Sequence, residues 1–204
     1  PNGVRVLFTG AMGAYRVMTA NRRVASAADF SGLKLRTAGG PMDQTASLLN
    51  ANSIRMPGPD VLPSLTRGTL DGVFFPLQSV KPWGLENALK HMTPNLSVGS
   101  FVVVYAISDR AWSKLPADLQ KVLVEAGDFA TRTHCQYIDT HEVKTIAELK
   151  AGGIEPTALP AADVEKISKG YAKIYADWAT TLDKRSRPGT AVLDAFQKTL
   201  QAQK

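Results

Sequence analysis

The spacing of apolar residues changes several times along the chain, and each change marks a predicted element. Val4-Arg5-Val6-Leu7-Phe8 is rich in β-branched and aromatic residues and predicts a strand that closes at the turn-forming Thr9-Gly10-Ala11-Met12-Gly13. Leu33-Lys34-Leu35-Arg36 alternates with period two, predicts a second strand, and stops at Gly39-Gly40-Pro41. Pro41 suits a first helical turn, where a backbone N–H would have no partner anyway. A helix is therefore predicted to about Asn50, with Met42, Thr45, Ala46 and Leu49 on one face. Ser53 to Met56 is a short strand, Pro59 to Arg67 a helix ended by Gly68, and Leu70 to Phe75 a further strand. Strand, helix, strand, helix, strand in this order requires parallel crossovers and hence an α/β sheet.

The second half is dominated by one long period. Phe101 to Ile107 is apolar at successive positions, as expected of a strand covered on both faces. Leu119, Val122, Leu123, Ala126, Phe129 and Ala130 then recur at helical spacing, with Gly127 the sole glycine and no proline from Ala117 to Lys150. A continuous helix from Leu119 to Leu149 is about 46 Å long at 1.5 Å per residue, too long for one small domain, so it is expected to run along two lobes. Gly152-Gly153 ends it. A short strand within Ile154 to Leu159 and two helices, Ala161 to Leu182 and Thr190 to Gln201, complete the prediction.

Composition narrows the class. With 204 residues, 44% of them hydrophobic, the chain can bury one large or two small cores. Its longest apolar run, Phe101 to Ile107, falls far short of the roughly 20 residues that span a bilayer. Cys135 is the single cysteine, so neither an internal disulfide nor a thiolate metal cluster is expected. Pro1 to Arg5 shows no basic segment leading into an apolar one, so no export signal is visible in this chain. The net charge is +6, and the first 60 residues hold seven of the 24 basic residues but three of the 18 acidic ones. Only Arg22-Arg23 and Lys184-Arg185-Ser186-Arg187 cluster, which argues against a nucleic-acid partner and suits a small anion instead.

Candidate chemistry centres on Arg36. Ligands of open α/β sheets sit beyond the carboxyl ends of strands. Arg36 lies there, before a glycine turn and a helix start, and its guanidinium can grip a carboxylate through two parallel hydrogen bonds. Phe74 and Phe75 close a strand at the same edge. A surface arginine paired with an acidic neighbour is the plainer alternative. Catalytic motifs are absent: no G-x-S-x-G, no phosphate-binding Walker loop and no H-E-x-x-H. Gly10 to Gly13 is a weak candidate anion nest. His134 and His141 share a helix face about 10 Å apart, too far for one metal, and Cys135 points elsewhere, so no metal, cofactor or nucleophile is expected.

Four segments carry a resemblance to a known family. Gly13-Ala14-Tyr15-Arg16-Val17-Met18-Thr19 is similar to a Gly-x-Arg-x-x-Thr region. Ala28-Asp29-Phe30-Ser31-Gly32-Leu33-Lys34-Leu35-Arg36 resembles a "DLKGLKIR" signature. Leu65 to Gly72 resembles "LQTGVVDG", and Ala111 to Gln120 an "xWDKLPxDxQ" segment. In this order they resemble the DctP-like solute-binding proteins of tripartite ATP-independent periplasmic (TRAP) transporters. The resemblance implies a non-enzymatic, periplasmic two-lobed α/β clamshell with parallel or mixed sheets and a long lobe-spanning helix. Such a protein binds a small organic acid as a monomer and delivers it to TRAP membrane permease subunits. It places Arg36 on the ligand carboxylate with Arg16 assisting; Phe74, Phe75, Tyr15 and Met12 complete the candidate set. Many members carry an acidic residue, Asn and Pro after the Asp-Gly pair. Here Val73-Phe74-Phe75-Pro76 stands instead, which favours an aromatic or aliphatic acid over a polyhydroxylated one. The family also has a longer stretch before the Gly-x-Arg region. The first lobe, 1–12 and 100–142, is therefore expected to be incomplete and the second to comprise 13–99 and 143–204. A ligand-binding sensor or a small-acid enzyme on a similar scaffold is the alternative, with His91 the one histidine near the site segments.

Overall fold

Alternating and apolar runs pair into two sheets of unequal size, as the computed structural model shows for residues 3–202. The reading of Pro1 and Asn2 as part of a start without a leader lies outside the described residues. β1 (Val4–Ala11) and β7 (Val102–Ser108) form an antiparallel pair with an irregular register between Val6 and Phe8. The larger sheet holds β2 (Tyr15–Thr19), β3 (Lys34–Thr37), β4 (Asn52–Arg55), β5 (Gly72–Pro76), β6 (His91–Thr93) and β8 (Glu155–Pro156). Its order is β4-β3-β5-β2-β6-β8. β3 is parallel to β4 and β5, as the strand–helix alternation requires, whereas β2 runs antiparallel to β5 and β6. The sheet is mixed.

Cross-strand partners share a face, so the register sorts the side chains. Leu35, Val17 and Phe74 face one side and meet Phe30, Met42, Ala46 and Ile167 from α1 (Pro41–Leu48), α5 (Ala161–Asp183) and neighbouring loops. Met18, Val73 and Phe75 face the other and meet Val61 and Leu65 from α2 (Val61–Thr66). β5 is buried at all five positions because both its faces are covered.

α3 (Asp109–Trp112) leads to α4 (Ala117–Ala151), one uninterrupted helix of 35 residues. Its first half lies on β1 so closely that a Cβ on Gly127 would fall 1.8 Å from the Leu7 carbonyl oxygen. Its last turns, through Ile146 and Leu149, enter the second core of the larger sheet. α6 (Gly189–Ala202) packs on α5. No helix of the described residues is long and apolar enough to cross a membrane.

Besides α4, two connections join the sheets, and they are bonded to each other. Met12 N–H donates to the Phe101 carbonyl at 2.8 Å, Tyr15 N–H to the Gly99 carbonyl at 2.9 Å, and the Ser100 hydroxyl to the Met12 carbonyl at 2.8 Å.

The structure departs from the sequence reading in four places. β1 continues to Ala11 through the expected turn, because its partner β7 offers bonding groups that far. β2 and β6 are unpredicted strands. The strand expected within Ile154 to Leu159 is only Glu155–Pro156. Finally, β7 is not covered on both faces: Val102 and Tyr105 are 59% and 65% exposed. A run apolar on successive residues needs a layer on either side, whereas α4, the one layer the described residues supply to this sheet, lies on β1.

Candidate ligand-binding site

Arg36 occupies the third position of β3, opposite Val73 of β5, and so projects to the face that carries Phe75. Only 6% of the residue is exposed. Two backbone carbonyls aim the guanidinium: Nε donates to Met56 at 3.1 Å and Nη1 to Phe74 at 3.4 Å. Its carbon lies 5.3 Å from the centre of the Phe75 ring, a cation–π contact. Tyr15 extends the aromatic surround, 6.5 Å from Phe75 and 5.4 Å from Phe101, and Trp83 meets Phe75 edge-on at 6.4 Å.

The electrostatics are unusual for a buried arginine. No Asp or Glu among the described residues pairs with it; its one titratable neighbour of consequence is Tyr15. Burial pushes the Arg36 pKa down, with the Tyr15 hydroxyl opposing, yet a guanidinium is so basic that it stays charged. Burial likewise pushes the Tyr15 phenol up, against the Arg36 charge. Such a cation is expensive to bury without an anion beside it. Two of its five N–H groups are held by carbonyls and the Tyr15 hydroxyl lies beside the guanidinium, which fixes the orientation and leaves at least two N–H groups for an acceptor.

The other predicted residues divide. Phe75 and Tyr15 join Arg36. The Phe74 ring turns to the opposite face, fully buried in the first core, and only its carbonyl reaches the guanidinium. Arg16 lies opposite Phe75 on the same face, but its guanidinium is taken by Glu142 of α4, with Nε 3.2 Å from Oε1 and Nη2 on the same oxygen. Met12 lines a different space, a cavity of about 730 Å³ between the two-stranded sheet and α4, whose walls include Phe8, Tyr105, His134 and Tyr137 but not Arg36. His134 sits 2.9 Å from the Ala11 carbonyl and His141 stacks on Tyr137, so both rings serve local packing.

Glu142, Phe101 and Trp83 were not legible as site neighbours. Trp83 had a signal: a tryptophan between Pro82 and Gly84 in a polar turn has no core to enter. Glu142 had none, because its partner is 126 residues away.

The mixed α/β sheets, bridged by one long helix, are those of TRAP periplasmic solute-binding proteins. One from Bordetella bronchiseptica, solved with bound (R)- and (S)-mandelate, superimposes with a TM-score of 0.83 at 27% identity, covering 100% of this chain and 65% of that one. One from Rhodoferax ferrireducens, solved with malonate, gives 0.84 at 18% identity over 98% of this chain and 62% of that one, a likeness of fold alone. The chain belongs to the family described as bacterial extracellular solute-binding protein, family 7, whose model matches residues 1–181. Among curated proteins it is 27% identical over 174 residues to the sialic acid-binding periplasmic protein SiaP of Vibrio cholerae, 82% of this chain and 51% of that protein. It thus spans about half the length of this curated relative and under two thirds of the solved ones.

Proposed function

We propose that this chain is the acid-recognising part of a periplasmic solute-binding protein that captures a small organic carboxylate and delivers it to a TRAP-type permease without transforming it. The observation that carries this reading is Arg36: a buried guanidinium, aimed by two carbonyls, with no acidic partner among the described residues. A ligand carboxylate supplies the missing anion and accepts the free N–H groups in a bidentate pair. Mandelate and malonate in the solved relatives are acids of the same kind. Arg16, on the same face as Phe75, is the assisting arginine of this reading, and its bond to Glu142 ties β2 to α4 and fixes the direction of its guanidinium.

In this reading the two-stranded sheet with the first half of α4 belongs to one lobe and the larger sheet to the other. The bonded connections at 12–15 and 98–101 are the hinge. Closure is favoured by ligand to the extent that both lobes touch it at once. The protein acts as a monomer, with no nucleic-acid partner and no cofactor.

Replacing the guanidinium tests the reading. Arg36→Ala is expected to weaken carboxylate binding by about 2–4 kcal/mol, roughly 30- to 1,000-fold, in calorimetry with mandelate or malonate. Arg36→Lys keeps the charge but loses the fork, and should recover only part of the affinity. Unchanged affinity in Arg36→Ala, with the fold intact by circular dichroism, would refute the clamp. Turnover of the acid would refute the carrier.

A further inference from the structure

Trp83 lies in the turn after β5, and its indole makes two contacts that both lead back to Arg36. It covers Gly58 so closely that a Cβ there would fall 2.7 Å from the ring. It also meets Phe75 at 6.4 Å with the planes at 85°. Gly58 stands two residues beyond Met56, whose carbonyl receives Arg36 Nε, and Phe75 lies under the guanidinium. Placed end to end, the two ring separations keep the indole within about 12 Å of the guanidinium carbon, the reach of a carboxylate ion-paired at one end with an aryl ring stacked at the other.

Exposure and contact together single it out within this cluster. Phe75 and Tyr15 are buried, whereas Trp83 is 42% and Phe101 37% exposed. Of these two it is Trp83 that meets Phe75, the ring beneath the guanidinium, while Phe101 meets Tyr15. Tyr105, Phe129 and Phe196 are more exposed still, but they stand on β7, α4 and α6 and are not aromatic partners of the Arg36 cluster. The aromatic walls themselves offer one phenol and one indole N–H, and Arg16, opposite Phe75 on the same face, is already paired with Glu142. A second carboxylate or a polyol would leave polar groups without partners there, while a flat apolar ring would not.

We infer that Trp83 is a specificity-determining residue, stacking on the ring of an aryl monocarboxylate whose carboxylate is held by Arg36. This rests on the proposed role of Arg36 as the clamp. Gly58 is then needed so that the indole can lie flat against the backbone beside Met56.

Mandelate and lactate share the 2-hydroxycarboxylate and differ by phenyl against methyl, so calorimetry of the full chain with both acids isolates the ring. Wild type should bind mandelate at least about tenfold tighter than lactate. Trp83→Leu, which keeps the bulk over Gly58, should lose most of that preference while lactate stays within about twofold, and Trp83→Phe should retain much of it. Equal weakening of both acids by Trp83→Leu, no weakening of either, or a wild type indifferent to the phenyl group would overturn the inference. Arg36→Ala separates it from the underlying reading. Loss of both acids in Arg36→Ala together with no selectivity change in Trp83→Leu defeats the inference alone. Retention of both acids in Arg36→Ala defeats the clamp and the inference with it.

Discussion

Charges in this protein are held by neighbours chosen for what they lack as much as for what they supply. Arg36 receives carbonyls and rings but no carboxylate, and so remains a cation in need of an anion. Asp29 shows the opposite arrangement. Its Oδ2 accepts from the Ala25 and Ser26 N–H groups, at 2.9 and 2.8 Å, and from the Ser26 hydroxyl at 3.0 Å. These bonds hold its carboxyl below the ordinary value of 3.8, the backbone donors contributing most. A carboxyl depressed in the folded state adds stability above its unfolded pKa and loses that contribution as pH falls through the folded one. Asp29→Asn, isosteric with the protonated acid, should therefore cost about 1 kcal/mol at pH 7, with the gap from wild type closing below pH about 4 in urea titrations. A gap independent of pH would contradict this account. At this scale the sequence was informative about Arg36, because strand period and a following glycine turn located it. Alternation separates the two phenylalanines it grouped: Phe75 shares the face of Arg36, while the Phe74 ring faces the core.

Gly127 illustrates how one element is seated on another. In an exposed helix, alanine in place of glycine gains about 1 kcal/mol. Here the added methyl would meet the Leu7 carbonyl at 1.8 Å, and backbone cannot yield as a side-chain tip can. Overpacking of this kind costs about 1–3 kcal/mol, so the net effect of Gly127→Ala is predicted to be destabilising. Thermal melting decides it: a lower Tm is expected, and a higher one would show that α4 stands off from β1. The lone glycine was visible in the sequence as a blemish in a long helical period, but its purpose was not, since Leu7 lies 120 residues away. Long periodic elements were otherwise read well, α4 and α5 nearly to their ends. The short strands β2 and β6 escaped because three to five residues carry too little period to register without their partners.

At the scale of the whole molecule, α4 and the bonded connections at 12–15 and 98–101 link two sheets of different completeness. The larger sheet is covered on both faces; the smaller has α4 along one, where Phe8 and Tyr105 line the cavity, and exposed Val102 and Val104 on the other. The sequence motifs carried the fold, since their order matched a family whose model covers residues 1–181. What they did not carry was the pairing of Arg16 with Glu142, which arises only when α4 is laid across the end of β2. Two spaces then compete as the seat of a ligand: the surround of Arg36, and the cavity of about 730 Å³ beneath α4. A crystal structure with 4-bromomandelate distinguishes them, because anomalous scattering from bromine fixes the ligand's position and direction. The account predicts the carboxylate within about 3 Å of the Arg36 guanidinium nitrogens, in a paired hydrogen-bond geometry. Bromine and carboxylate both found under α4, with Arg36 untouched, would contradict it.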